Sequence, residues 1–175
     1  MKILLDAAQI SNSLEYLAQC IAGAAGTGSD IGIIGIRSRG EILAQRVTKI
    51  LAQKISKDVP CGTLDITLYR DDLNSPAGQE IPQVRSTEIT FDISDKIIFL
   101  IDDVLYTGRS VRAALDALMD LGRPRAIRLA VLVERSGREY PIQADYVACS
   151  AKVDEGQFVQ VKVVEVDGID EVVVE

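Results

Sequence analysis

The segment KIIFLIDDVLYTGRS, residues 96–110, decides how this chain folds. Its first part, Lys96–Ile101, predicts a strand that is apolar on both faces and is therefore buried in a sheet. Asp102 and Asp103 follow this strand, and after a short turn a helix is predicted to begin at Ser110. Because ligands bind at the carboxyl ends of the strands in an open α/β sheet, the same segment carries the candidate site.

The rest of the chain alternates between predicted helices and predicted strands. The spacing of the apolar residues predicts helices over 7–23, 40–54 and 110–121, and strands over 31–36, 63–69, 96–101, 127–133, 146–148 and 159–166. Residues 23–30 are predicted to form a loop, and a long polar loop, flexible over about residues 70–88, follows the strand at 63–69. This alternation predicts an α/β fold, a single domain over residues 1–175 with a mostly parallel central sheet and helices on both faces.

The composition indicates a globular protein and excludes several kinds of catalytic site. Hydrophobic residues make up 47% of the chain, and no apolar run reaches the ~18 residues needed to span a membrane. The absence of histidine excludes Ser-His-Asp catalysis, Cys-His catalysis and every histidine metal site. The formal charge of −7 argues against nucleic-acid binding driven by net charge, although a local basic patch stays open. Three cysteines without metal-like spacing, Cys20, Cys61 and Cys149, predict reduced thiols in a cytoplasmic protein.

The two aspartates and the helix start that follows them form the central candidate site. Asp102 and Asp103 are carboxylates that accept from sugar hydroxyls or help to hold Mg²⁺. The backbone N–H groups and the positive dipole end of the helix start suit a phosphate, and Gly108 lets the backbone approach it closely. The hydroxyls of Thr107 and Ser110 add donors. The alternative is purely structural, with a solvated acid at a strand end and a hydroxyl that caps a helix.

Two further polar segments are predicted to face the same site. The segment RSRG, residues 37–40, follows the strand at 31–36 and opens a helix, which suits a pyrophosphate; the alternative is a basic turn capped by its serine. The segment DITLYRDD, residues 65–72, predicts either an edge strand that runs into a solvated turn or a lid in which Arg70 reaches a phosphate. No Gly-x-x-x-x-Gly-Lys-Ser/Thr motif occurs, which argues against a P-loop nucleotide hydrolase.

Several motifs together carry a resemblance that extends over nearly the whole chain. Residues 98–110 resemble the signature with which type I phosphoribosyltransferases bind 5-phosphoribosyl 1-diphosphate (PRPP). The blocks LYRDD at 68–72 and YTGRSVRAA at 106–114 look like those of the pyrimidine operon attenuator and uracil phosphoribosyltransferase family, PyrR. This resemblance implies a type I phosphoribosyltransferase fold and two activities. One makes UMP and diphosphate from uracil and PRPP with Mg²⁺, and the other binds the leader mRNA of pyrimidine (pyr) operons in response to UMP.

The resemblance also implies roles for individual residues. Asp102 and Asp103 would hold the ribose hydroxyls and, with the PRPP diphosphate, help to hold Mg²⁺. Together with Arg39 they are the candidate catalytic residues, and no residue is assigned as a base for uracil. The candidate substrate-binding residues are Arg37, Ser38, Arg39 and Gly40 at the pyrophosphate, Thr67 and Arg70 in the lid, Asp102 and Asp103 at the ribose, and Val104, Leu105, Tyr106, Thr107, Gly108, Arg109 and Ser110 around the 5-phosphate.

The sequence departs from the family pattern where the resemblance implies RNA contacts. The predicted first helix has no lysine or arginine, and Gly137 and Gln143 stand where relatives often have histidine and arginine. Arg138 and Lys152 remain as candidate RNA contacts. Two alternatives to a uracil phosphoribosyltransferase therefore stay open: an RNA-binding UMP sensor with weak catalysis, and a phosphoribosyltransferase for another base. In each case the resemblance implies a homo-oligomer, a dimer or a tetramer.

Overall fold

A computed structural model of the chain describes residues 2–26, 30–71 and 86–175. In these ranges the elements are β1 (Lys2–Leu5), α1 (Ala7–Ala25), β2 (Ile31–Ile36), α2 (Gly40–Ile55), β3 (Cys61–Leu64), β4 (Ile97–Leu105), α3 (Arg109–Leu121), β5 (Ala126–Arg135), β6 (Tyr146–Ala151), β7 (Val159–Lys162), α4 (Val164–Asp167) and β8 (Glu171–Val174). A single 3₁₀ turn, Thr67–Tyr69, follows β3. The structure confirms the α/β class.

The central sheet confirms the predicted parallel arrangement. It has five strands in the order β3-β2-β4-β5-β6, and every neighbouring pair is parallel. Side chains alternate along β4, so that Phe99 and Ile101 pack with α1 and α2 on one face, whereas Ile98 and Leu100 pack with α3 on the other. Helices therefore cover both faces, and the carboxyl ends of the strands lie along one edge of the sheet.

A second sheet was not predicted from the sequence. It has three antiparallel strands in the order β1-β8-β7 and includes C-terminal residues for which no role was predicted. The strand predicted over 159–166 is wrong beyond Lys162, because the chain turns there into the short helix α4. The Asp167 carboxylate accepts a hydrogen bond from the backbone N–H of Val163 at 2.9 Å and stabilises this turn.

The strand predicted over 63–69 is also wrong beyond Leu64. The strand ends at Leu64, and the chain then forms the 3₁₀ turn. One carboxylate oxygen of Asp65 accepts from the backbone N–H of Thr67 at 2.9 Å and from its hydroxyl at 2.5 Å. Such local side-chain hydrogen bonds compete with strand pairing, which explains the change of structure.

The two predicted loops differ in how much of each the structure describes. The loop predicted over 23–30 is too long, since α1 continues to Ala25. Most of the polar loop predicted over 70–88, residues 72–85, lies outside the described residues. Within the described part of it, Glu88 pairs with Thr63 as an isolated antiparallel bridge. This bridge returns the chain to the edge of the central sheet at β3.

Two further expectations concern cysteines and membranes. Cys20, Cys61 and Cys149 are all free thiols, in agreement with the sequence prediction. Among the helices of the described ranges, none combines the length and the hydropathy that crossing a membrane requires.

Candidate active site

The acidic pair lies inside β4 and not after it. The predicted strand ended at Ile101, but β4 continues to Leu105. The extension pairs in parallel with β5 through Asp102↔Val131 and Val104↔Val133. Because β5 is itself long, it provides backbone partners for β4 beyond the predicted end. The turn that follows is consequently short, and α3 begins at Arg109, one residue before the predicted start.

Burial and mutual repulsion dominate the electrostatics of the acidic pair. Asp102 is 6% exposed, and one of its carboxylate oxygens accepts from the backbone N–H of Asp103 at 2.9 Å. Burial, followed by the charge of Asp103, raises the pKa of Asp102 well above its usual range. Burial also raises the pKa of Asp103, whereas the positive charge of Arg39 acts in the opposite direction. The pair therefore holds a proton more tightly than two solvated carboxyl groups would.

A small cavity opens at the end of β4, where the sequence predicted a phosphate site. It has a volume of about 130 Å³. Its lining residues are Asp102, Val104, Leu105, Tyr106, Thr107, Gly108, Ser110 and Val111. Gly108 has φ 92° and precedes the first turn of the 13-residue helix α3, whose free N–H groups favour an anion. The structure thus brings Asp102 and most of the predicted 5-phosphate residues into one cavity, whereas Asp103 and Arg109 are not among the residues that line it.

The turn before α3 is hydrogen-bonded to the segment that follows β5. The carbonyl oxygen of Thr107 accepts from the backbone N–H groups of Glu139 and Tyr140, both at 3.0 Å. A Cβ atom at Gly108 would lie 3.2 Å from the Cβ of Tyr140. These contacts fix the backbone that lines the cavity, which favours a preorganised anion site.

The side chain of Arg109 is engaged away from the helix start. Its guanidinium donates to Asp71 at 2.7 Å and to Glu139 at 2.8 Å, and its carbon atom lies 5.1 Å from the ring centre of Tyr140. The resemblance implied that Arg109 holds the 5-phosphate. In this structure the residue contributes its backbone to the start of α3, while its charge is compensated by two carboxylates.

The predicted pyrophosphate segment lies directly beside the acidic pair. It joins β2 to α2, and the peptide bond between Arg37 and Ser38 is cis. A Cβ atom at Gly40 would lie 2.8 Å from the carbonyl oxygen of Ile101 and 3.3 Å from the Cα of Asp102. The first turn of α2 therefore packs against β4 at the start of the acidic pair. Two motifs that are far apart in sequence meet at the carboxyl edge of the sheet.

Both arginines of this segment are paired with carboxylates. Arg37 donates to Glu88 at 3.1 Å. Arg39 donates to both oxygens of Asp167, at 2.9 and 3.2 Å. The sequence pattern gave no role to Asp167, and its only signal was an acidic residue in a C-terminal segment of unassigned structure. The C-terminal region thus reaches the candidate site, which was not predicted.

The candidate lid residues lie at the edge of the same sheet. Thr67 and Arg70 follow β3, the edge strand next to β2. The hydroxyl of Thr67 donates to Asp65, and the side chain of Arg70 is exposed. The remainder of the predicted lid, residues 72–85, lies outside the described residues.

The candidate RNA contacts are in different environments. Arg138 donates to the carboxylate of Glu134 at 2.6 Å and to the carbonyl oxygen of Tyr106. Lys152 is exposed, immediately after β6. The charge of Arg138 is therefore compensated within the chain, whereas that of Lys152 faces solvent.

Comparisons with known proteins identify the domain and the family of this chain. A sequence model of the phosphoribosyl transferase domain matches residues 2–167. The bifunctional protein PyrR of Thermus aquaticus is 50% identical over 169 residues, which cover 97% of this chain and 92% of that protein. PyrR of Pelotomaculum thermopropionicum is 49% identical over 172 residues, which cover 98% and 93%. The solved structure of the hypoxanthine phosphoribosyltransferase of Trypanosoma cruzi has a TM-score of 0.73 and 17% identity, covering 99% of this chain and 95% of that one.

The match to the phosphoribosyl transferase domain over residues 2–167 shows that this chain is a phosphoribosyltransferase, and the parallel sheet with an acidic pair at its edge agrees with this class. The relatives are about 50% identical in sequence over nearly the full length of both chains, so they identify the family within this class. The chain belongs to the PyrR family of bifunctional proteins.

Proposed function

We propose that this chain transfers the phosphoribosyl group of PRPP to uracil and releases UMP and diphosphate. The observation that carries the proposal is the meeting of three groups at one sheet edge: the acidic pair of β4, the anion cavity before α3 and the segment 37–40. PRPP carries a 5-phosphate, ribose hydroxyls and a diphosphate, so it requires three such groups close together. PyrR relatives at about half identity support uracil as the base.

Each group contributes a distinct interaction with PRPP. The start of α3 binds the 5-phosphate through backbone N–H groups and the hydroxyls of Thr107 and Ser110. Asp103, less buried than Asp102, accepts from the ribose hydroxyls. Arg39 stabilises the negative charge that develops on the departing diphosphate, and the carboxylates stabilise the positive charge on the ribose. The protein thereby lowers the barrier mainly by positioning and electrostatics, without a covalent intermediate.

The donor set at this edge fits a Mg²⁺ ion that arrives with the substrate. Within the described residues no group of three or more His, Cys, Asp or Glu side chains surrounds a common point. Asp102 and Asp103 would therefore supply at most two protein ligands, and the diphosphate and water would supply the others. Mg²⁺ is commonly held in this way in phosphate-transfer sites. The ion supplies charge neutralisation on the diphosphate.

Product identification tests the proposed base. We expect PRPP and Mg²⁺ to release diphosphate at a rate that depends on uracil, with UMP as the nucleotide product. Cytosine, hypoxanthine, guanine and orotate serve as the matched panel under the same conditions. Faster turnover with one of these bases would show that this base, and not uracil, is the substrate. The absence of diphosphate release with every base would contradict the transferase proposal.

We also propose that the second activity of the family, regulation through pyr leader RNA, relies on few phosphate contacts in this chain. Four of the seven arginines between Arg109 and Arg138 form ion pairs within the chain, and Arg135 lies 4.0 Å from the ring centre of Tyr106. Each phosphate contact that is lost reduces both RNA affinity and its salt dependence.

A gel shift with the leader RNA of the organism's own pyr genes measures this activity. We expect UMP-dependent binding whose affinity falls only shallowly between 50 and 200 mM salt, by less than about tenfold. Lys152→Ala should weaken it, and Arg138→Ala should have the smaller effect because Glu134 already compensates that charge. A steep salt dependence would contradict the proposal.

The oligomeric state implied by the family stays a prediction, which the mass in solution tests.

A further inference from the structure

The contact between Arg39 and Asp167 joins the candidate diphosphate site to the C-terminal segment. The two residues are 128 positions apart in sequence, and their side chains are 25% and 19% exposed. The hydrogen bonds engage Nε and Nη2 of Arg39, one edge of the guanidinium, with the two carboxylate oxygens. Within the described residues no hydrogen bond from Nη1 is found. The edge formed by Nη1 and the outer Nη2 hydrogen therefore stays available for a second bidentate anion.

The position of the Asp167 carboxylate is set by its own segment. The oxygen that accepts from Nε of Arg39 also accepts from the backbone N–H of Val163 at 2.9 Å, and the backbone N–H of Asp167 donates to the Val163 carbonyl at 2.7 Å. Asp167 is thus fixed by a closed turn, whereas Arg39 is a long and flexible side chain. It follows that Asp167 orients Arg39 and not the reverse. The pKa of Asp167 is lowered, mainly by the hydrogen bond from Arg39, so that the pair is ionised at neutral pH.

Arg46 of α2 binds the same C-terminal segment without contacting the diphosphate site. Arg46 donates to Asp170 at 2.9 Å and to Glu165 at 3.0 and 2.5 Å. Asp170 also accepts from a backbone N–H, that of Val164, at 2.8 Å. Asp170 and Asp167 are therefore equivalent in chemistry, exposure and segment. They differ in which arginine they hold, and only Arg39 lies beside the acidic pair.

We propose that Asp167 is a positioning residue for phosphoribosyl transfer. It holds the edge of the Arg39 guanidinium formed by Nε and Nη2. The edge formed by Nη1 and the outer Nη2 hydrogen is then presented to the diphosphate of PRPP next to Asp103. Gly40, the residue after Arg39, lies against the backbone of Ile101 and Asp102, which places the segment of Arg39 beside the acidic pair. An arginine that is already ordered loses less side-chain entropy when it binds an anion. The proposal rests on the proposed function for the identity of the anion.

The experiment compares Asp167→Asn and Asp167→Ala with the matched control Asp170→Ala. The asparagine variant keeps an oxygen for the Val163 N–H and thus retains the turn. We expect both Asp167 variants to raise KM for PRPP about tenfold and KM for uracil less than twofold, whereas Asp170→Ala changes both less than twofold. Binding of inorganic diphosphate with Mg²⁺, measured by calorimetry, should weaken by the same factor. Equal effects of the Asp167 and Asp170 variants would overturn the proposal.

A double-mutant cycle separates positioning from general support of the structure. In the Arg39→Ala background, Asp167→Ala should weaken diphosphate binding less than twofold further, because its effect passes through Arg39. A full tenfold loss in that background would overturn the proposal. The calorimetric result does not depend on the base. If the cycle gives the expected binding values but turnover does not depend on uracil, only uracil as the base is rejected. If turnover depends on uracil but the cycle gives other values, only the role of Asp167 is rejected.

Discussion

Replacement of both Asp102 and Asp103 by asparagine should reduce turnover by about three orders of magnitude while the fold persists. Removal of one preorganised group that stabilises transition-state charge, such as an oxyanion-hole donor, costs about 10²–10³ in kcat. The amide keeps the volume of the carboxyl group but removes the charge that stabilises a cationic ribose. Initial rates of uracil-dependent diphosphate release measure the loss. A rate within tenfold of wild type would contradict the role of the pair at the ribose.

The same double substitution should stabilise the protein near neutral pH, by about 1–2 kcal/mol. In the folded protein the pKa of Asp102 lies above its unfolded value, so the folded state binds a proton more tightly. Wild-type stability therefore falls as pH rises from the unfolded pKa, about 4, through the folded one. The variant lacks this loss, and its advantage should grow from pH 4 to pH 7.5 in thermal unfolding.

The control for this experiment is Asp95→Asn. Asp95 lies just before the start of β4, at the end of the strand away from the acidic pair. We expect turnover to stay unchanged and unfolding to shift by less than about 0.5 kcal/mol, as for an ordinary surface substitution. A stability gain from the double variant that is equally large at pH 4 and pH 7.5 would show that relief of the buried charges is not its cause.

Gly35→Ala should destabilise the protein by about 3 kcal/mol and lower Tm by about 10 °C. A Cβ atom at Gly35 would lie 2.4 Å from the Cα of Glu41 and 2.4 Å from the carbonyl oxygen of Gly40. Both are backbone atoms, so no side-chain rotation relieves the overlap. The first turn of α2 must move away from β2, and with it Arg39 at the candidate diphosphate site. We therefore expect weaker PRPP binding together with the lower Tm.

Gly23→Ala provides the matched control with the opposite sign. Gly23 is exposed within α1, and a Cβ atom there meets nothing within 4 Å. Alanine in a helix interior is more stable than glycine by about 0.5–1 kcal/mol. We expect a small rise in Tm and unchanged turnover. If Gly35→Ala were as harmless as Gly23→Ala in thermal unfolding, the close contact between β2 and α2 would not be essential.

The sequence by itself predicted the candidate chemistry and the main layers of this protein. The buried strand, the acidic pair, the glycine turn and the helix start are consecutive in residues 96–110, and their order predicted a parallel sheet with a phosphate site at its edge. Apolar periodicity predicted α1, α2 and α3 to within two residues at each end. Such features are local, because strand and helix patterns repeat within a few residues.

The directions of the long side chains at the site and the ends of several strands follow from contacts between distant segments. Pairing with β5 extends β4 through Asp102 and Asp103, and Asp65 ends β3 in favour of a turn. Arg39 finds its partner 128 residues away in Asp167, and Arg109 finds Asp71 and Glu139. These partners are chosen by docking of distant segments. A charged side chain of several rotatable bonds has no local signal for its partner, so its direction follows only from the assembled fold.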